Sequence, residues 1–179
     1  MSVEQTFDNG SLLRTKNVSS KILRGLNGAA NMAIKSELNF RHGSVLISSN
    51  RILAGGYNQS RSKYGNQCSC CLHAEVSCLH NFVKNVCHEP FNGKIKNKKW
   101  QRVLSRATIY VVRIPRVSNN LDYLNYSKPC SDCMNILKLY GVKNVIYSDN
   151  DNNISINKIN DLKCDYVTKG NLRINEYID

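Results

Sequence analysis

The sequence predicts an α/β fold: a three-layer helix-sheet-helix sandwich on a mixed five-stranded sheet. Three observations lead there. Stretches with apolar residues at helical spacing alternate along the chain with short β-branched and aromatic runs, the pattern of helices laid on a sheet. The segment 108–114 holds Ile109, Tyr110, Val111, Val112 and Ile114, a near-continuous apolar run that suits a strand covered on both faces. And 179 residues, 41% of them hydrophobic, suffice for one domain around one core.

Element by element, a polar N-terminal segment at 1–18 precedes a single domain at 19–179. The first helix covers 19–38, where Ile22, Leu26, Ala29, Ala30, Ala33 and Ile34 recur at helical spacing. Strands follow at 43–48 and 51–57, with Ser49-Asn50 between them as a tight hairpin turn. After a polar loop at 59–71, Val76, Leu79, Phe82, Val83 and Val86 mark a helix that starts at or just before His73. The buried strand at 108–114 comes next. Pro129 then precedes a helix carrying Cys133, Ile136, Leu137 and Tyr140, which Gly141 ends as a C-terminal cap. Residues 142–147 form a strand, and a turn of Asp and Asn at 149–153 leads to an alternating strand at 154–156. So short a turn joins only antiparallel neighbours, since a parallel pair needs a crossover of about a dozen residues or more. If 154–156 does not pair, 156–162 is instead a crossover segment and the argument reverses.

Chemistry concentrates in two motifs, His73-Ala74-Glu75 and Pro129-Cys130-Ser131-Asp132-Cys133. A catalytic zinc keeps three protein ligands and an open fourth position, where the pKa of water falls to about 7. His73, Cys130 and Cys133 offer three ligands, and Glu75 is left over as a carboxylate. Hydrolytic deamination of a nucleobase needs such a group, to move protons between water, ring nitrogen and departing amine. Residues two apart in a helix point to different sides, so His73 and Glu75 converge on one ion only at a helix tip. Thiolates at the start of the second helix gain from its unpaired amides. The backbone at Ala74, between ligand and acid, is placed to meet the base. The alternative is a structural site, with Cys130 and Cys133 completed by two of Cys68, Cys70, Cys71, Cys78 and Cys87; it has no use for Glu75.

With these residues in place, the chain resembles the zinc-dependent cytidine deaminase superfamily, especially its cytidine and deoxycytidylate branch. The resemblance covers about residues 20–170 and includes the hairpin from His42-Gly43-Ser44-Val45 to Gly55-Gly56-Tyr57-Asn58. It implies a cytidine deaminase type of sandwich, one catalytic Zn2+ on His73, Cys130 and Cys133, Glu75 as the catalytic acid and base, and Asn58 in contact with substrate. An antiparallel final pair of strands resembles the branch acting on free nucleosides, whereas members acting on tRNA or DNA resemble each other in a parallel pair joined by a helix. Family members acting on nucleotides also resemble one another in forming homo-oligomers. The departure from the pattern is a long spacer: fifty-six residues separate His73 from Cys130, with the surplus at about 88–106.

That insertion is basic. Lys94, Lys96, Lys98, Lys99, Arg102 and Arg106 surround Trp100, the only tryptophan, with no acid after Glu89. Cations around an aromatic suit nucleic acid, and a solvated loop is the plain alternative. The formal charge of +12 favours anionic partners without choosing among them. Cys68, Cys70, Cys71 and Cys87, with His88 or His80, offer a second, structural zinc site; the same cysteines are otherwise ordinary thiols. No signal peptide or membrane-length apolar run is visible, and eight cysteines suit ligands and thiols in a reducing cytoplasm. The sequence therefore reads as a cytoplasmic zinc hydrolase that deaminates cytosine in a free nucleoside or nucleotide, namely cytidine, deoxycytidine or dCMP. A deaminase of tRNA or single-stranded nucleic acid is the runner-up, and a noncatalytic zinc-stabilised nucleic-acid-binding protein is the reading from another class.

Overall fold

A computed structural model describes residues 18–60, 63–64, 67–68, 71–115, 124–149, 153–164 and 166–167. Most of the expected segment at 1–18, the middle of the turn at 149–153, and the Cys68 and Cys70 side chains lie outside them. The elements in chain order are α1 (Ser20–Ile34), β1 (Arg41–Ser48), β2 (Arg51–Tyr57), β3 (Lys63–Tyr64), β4 (Gln67–Cys68), α2 (Ala74–Asn81) running into a π-helical turn (Phe82–Val86), α3 (Lys98–Leu104), β5 (Thr108–Ile114), α4 (Ser131–Leu139), β6 (Asn144–Ser148) and β7 (Ile154–Lys158). Five strands make one mixed sheet in the order β2-β1-β5-β6-β7, and β3 and β4 pair by themselves. Only β5 and β6, joined through α4, run parallel in that sheet. The β6–β7 pair is antiparallel, Ile146 opposite Ile156, as the short connection requires; no crossover forms at 156–162.

Two apolar layers sandwich the sheet. On one face Leu26, Ala29, Ala30 and Ala33 of α1 meet Val45, Ile47, Val112 and Ile114. On the other, Val76, Leu79 and Phe82 and the α4 residues Met134, Ile136 and Leu137 meet Leu46, Ile109, Val111 and Val145. Two glycines set the spacing. A Cβ on Gly43 would lie 2.1 Å from the Ala29 carbonyl oxygen, and one on Gly56 would lie 2.2 Å from the Cys78 amide nitrogen. Helix backbone thus rests directly on strand backbone on both faces.

The hairpin turn is as expected, with both Ser49 and Asn50 at positive φ, the condition for the two-residue turn that matches strand twist. Helix α1 is shorter than expected. Its periodic run stops at Ile34 because the Ser36 hydroxyl donates to the Asn58 carbonyl, 2.9 Å, and accepts from the Leu38 amide, local bonds that compete with helix continuation.

The expectation of a solvated insertion needs correction. Ile95 and Leu104 are buried, Trp100 meets Phe82 edge-on with centroids 5.7 Å apart, and Phe91 stacks on Tyr140 at 4.9 Å. The Glu89 carboxylate accepts from the Lys96 and Asn97 amides, and the Asn97 side chain caps α3 by accepting from Lys99. The inner side of the insertion is core; its lysines and arginines are exposed.

Candidate active site

Helices α2 and α4 begin on the same side of the sheet, at the C-terminal end of the parallel strand β5. His73 is the N-cap of α2 and Cys130 the N-cap of α4, both extended in backbone and neither using its side chain as a cap. Their side chains are therefore free to face each other. His73 Nδ1 lies 3.2 Å from Cys133 Sγ and 3.4 Å from Cys130 Sγ. Tetrahedral chelation of zinc at ordinary bond lengths puts nitrogen and sulfur about 3.5 Å apart. The three ligand atoms all lie within 4.8 Å of one another and are the only such group of three or more among the described residues. The donor set, one imidazole and two thiols, fits zinc.

Several contacts hold these ligands. The Ser44 hydroxyl of β1 donates to the Ala74 carbonyl, 2.7 Å, fixing the first turn of α2 against the sheet. Before α4, the buried Ser127 hydroxyl donates to the Val111 carbonyl, 2.8 Å, and contacts the Ser148 hydroxyl at 2.8 Å, while Ser148 donates to the Asn125 carbonyl. The chain entering Pro129-Cys130 is thereby tied to the ends of β5 and β6. Cys164 donates to the Pro129 carbonyl, and the Ser131 amide, otherwise unpaired at the helix start, donates to the Tyr166 carbonyl.

Without metal, the proton distribution is set by these contacts. Hydrogen bonding from Cys133 pulls the Cys130 thiol down to about 5, against burial and with help from His73. That same bond, with burial, pushes Cys133 well above the ordinary thiol range. Burial opposes a charged His73, but its bonds to Cys130 and Cys71 and the nearby Glu75 outweigh it and raise it to about 11. Glu75, 5% exposed, is lifted by burial to about 7 although the His73 charge pulls it down. Its carboxylate contacts the Cys133 thiol yet lies outside the three-atom ligand group. A buried acid near neutrality can both give and accept a proton at physiological pH.

The other cysteines separate. Cys71 hydrogen-bonds to His73 but is not a member of the ligand group. Cys87 follows the π-helical turn at the far end of α2, about 18 Å along the helix at 1.5 Å per residue. Cys71 and Cys87 are therefore too far apart to share an ion, while the Cys68 and Cys70 side chains of the expected second zinc site lie outside the described residues. Cys78 is a buried thiol donating to the Ala54 carbonyl.

Asn58 is buried at the end of β2. Its carboxamide oxygen accepts from the His42 amide, 2.8 Å, and its nitrogen donates to the Phe40 carbonyl, 2.6 Å, so it pins the start of β1 beside the ligands. Sequence reasoning missed Ser44, His42 and Arg113 as neighbours of the site. His42 is held near 4 mainly by burial, with Arg113 and His73 also opposing its charge. Arg113 lies opposite His42 in β5 and stacks over the Phe40 ring at 4.4 Å. The signal for Arg113 was present: it is the one charge in the apolar run 109–114.

The family comparison agrees with this donor set. The chain matches the family described as the cytidine and deoxycytidylate deaminase zinc-binding region over residues 17–149. No curated protein sequence matches it. Among solved structures it is similar to the dCMP deaminase of the cyanophage S-TIM5 in apo form, with 18% identity over 72% of this chain and 82% of that one and a TM-score of 0.45. The same enzyme in complex with dCMP and dUMP gives 17% identity over 74% and 85%, TM-score 0.46. RibD of Acinetobacter baumannii in form 1 gives 17% identity over 72% of this chain and 26% of that chain, TM-score 0.35.

Proposed function

The chain belongs to the cytidine and deoxycytidylate deaminase family, and from that premise we propose that it converts cytosine to uracil in a free nucleoside or nucleotide, with Glu75 as the proton-transfer group. The observation that carries this is the placement of Glu75: a buried carboxylate touching the ligand group without belonging to it. His73, Cys130 and Cys133 would hold a zinc ion, which when bound would make water acidic enough to act as hydroxide at neutral pH. Glu75 would take one proton from the attacking water and deliver it to the ring nitrogen next to the attacked carbon, then take the second from the hydroxyl so added and pass it to the amine, which leaves as ammonia as the carbonyl forms. Asn58 binds the substrate with the carboxamide hydrogen it does not spend on Phe40. The Ala74 amide, one of the first-turn amides that lack a helical partner, offers a donor to the base.

The position of the basic insertion favours a small substrate over a polynucleotide. It docks through Trp100 on Phe82 and through Phe91 on Tyr140, at the C-terminal ends of α2 and α4, whereas the ligands occupy the N-terminal ends. A strand bound on α3 would lie about 13 Å along α2 from the ligands. Cysteines placed as metal ligands or as a buried thiol, namely Cys130, Cys133 and Cys78, support a reducing, cytoplasmic location. No helix among the described residues is long and apolar enough to cross a membrane.

The test is ammonia release from cytidine, deoxycytidine, dCMP, single-stranded DNA and tRNA, for wild type and Glu75→Gln. The variant is expected to keep one zinc per chain and lose about 10²- to 10⁴-fold in turnover on a small cytosine compound. A variant that retains full turnover, or a wild type active only on polymers, overturns the proposal.

A further inference from the structure

We propose that Arg113 reads an anionic group on the substrate, making the enzyme selective for phosphorylated cytosine nucleosides over free ones. The inference rests on the deaminase reading above and adds a specificity-determining residue to it.

The placement follows from strand register. Ser44 faces α2, because its hydroxyl reaches the Ala74 carbonyl. His42, two residues away on the same strand, faces the same side and lies about 6.8 Å further along. Antiparallel β2 sets the direction of that step: Ser44 pairs with Gly56, on which Ala74 and Cys78 rest, while His42 is bonded to Asn58. The step therefore leads beyond the first turn of α2, to the side where His73 lies. Arg113 is the cross-strand partner of His42, and directly opposed residues of an antiparallel pair share a face. Arg113 thus extends from the same face as the ligands, at the rim of the same site.

Its surroundings leave the charge available. The guanidinium lies over Phe40, itself 61% exposed, and among the described residues no carboxylate is paired with it. Phe40 is in turn anchored, its carbonyl accepting from Asn58. A planar guanidinium held against a ring keeps its edge donors free, the geometry that suits bidentate contact with phosphate. A positive charge beside the His42 imidazole and over an aromatic ring is explained by a ligand that neutralises it.

The experiment compares kcat/KM for dCMP and deoxycytidine in wild type, Arg113→Met and Arg113→Lys, with zinc content and thermal unfolding measured for each. Wild type is expected to prefer dCMP, and Arg113→Met to lose about 10- to 100-fold on dCMP while changing by less than about threefold on deoxycytidine. Lysine should restore part of the loss. Equal losses on both substrates, or a wild type without preference for dCMP, overturn the assignment while the deaminase reading stands. A wild type inactive on both overturns this inference, and one inactive on cytidine as well overturns the deaminase reading with it. If the Met variant loses zinc or unfolds, the Lys variant alone decides: a fall confined to dCMP supports the inference and an equal fall refutes it.

Discussion

His73, Cys130 and Cys133 hold more protons in the metal-free protein than a zinc site tolerates. Cys130 sits low, at about 5, and enters as thiolate. His73 is raised to about 11 and Cys133 well above the usual thiol range, so both are protonated at neutral pH. Zinc must expel a proton from each, and uptake should release about two protons per ion at pH 7.5, with affinity rising as pH rises. Calorimetry in buffers of different ionisation enthalpy measures that number; release of none would contradict the ligand assignment. The ligand residues were legible because their types and spacing carry the chemistry in one dimension. His42, Ser44 and Arg113 were not read as site residues, since only the pairing of β1 with β5 brings them together. Asn58 was singled out by position in a motif, and the structure adds what position could not: most of its carboxamide is engaged with backbone.

Helix α2 illustrates how an element is positioned by what is missing from another. The α2 backbone lies against β2 at Gly56, where an added Cβ would fall 2.2 Å from the Cys78 nitrogen and 2.7 Å from the Ala74 oxygen. Backbone cannot yield as a flexible side chain would, so Gly56→Ala should push the helix tip away from α4, costing about 1–3 kcal/mol and weakening zinc retention. Chemical denaturation and zinc content check it; a variant of unchanged stability and metal content would show that the helix shifts freely. Helices with a clear apolar period were legible, and α3 was not. Its seven residues include three cations, which hide the pair Trp100 and Leu104, four apart and facing inward. Leu104→Ala should cost about 2–5 kcal/mol by leaving a cavity, a loss that a solvated loop would not show in a denaturation curve. The π-helical turn was also hidden, because Phe82, Val83 and Val86 continue the helical period while the Cys87 amide bonds five residues back to Phe82.

At the scale of the molecule, the length of α2 and α4 separates the metal ligands from the basic insertion that lies between them in sequence. In sequence the basic insertion lies between the two halves of the metal motif, which invites a picture of cations guiding substrate to zinc. In space, α2 and α4 point their N-termini at the ligands and their C-termini at the insertion, so the two lie at opposite ends of one helical layer. The layer order itself was legible from connection lengths: a two-residue turn forces β1 and β2 antiparallel, and the β5-α4-β6 crossover permits a parallel pair. Chain packing at 88–106 was not, because charge on the outer side masked Ile95 and Leu104 within. The separation has a kinetic consequence. Coulomb interaction over about 13 Å is largely screened at physiological salt, where the Debye length is about 8 Å. Replacing Lys98, Lys99 and Arg102 together by Gln should therefore leave kcat/KM for a mononucleotide within about twofold at 0.15 M salt. Any general affinity for polyanions should fall at the same time, its salt dependence shrinking by about 0.7 to 0.9 for each phosphate no longer neutralised. Steady-state kinetics and a salt titration of single-stranded DNA binding, run on the same triple variant, separate the two. A tenfold fall in mononucleotide turnover with stability and zinc content unchanged would mean that the insertion reaches the site after all.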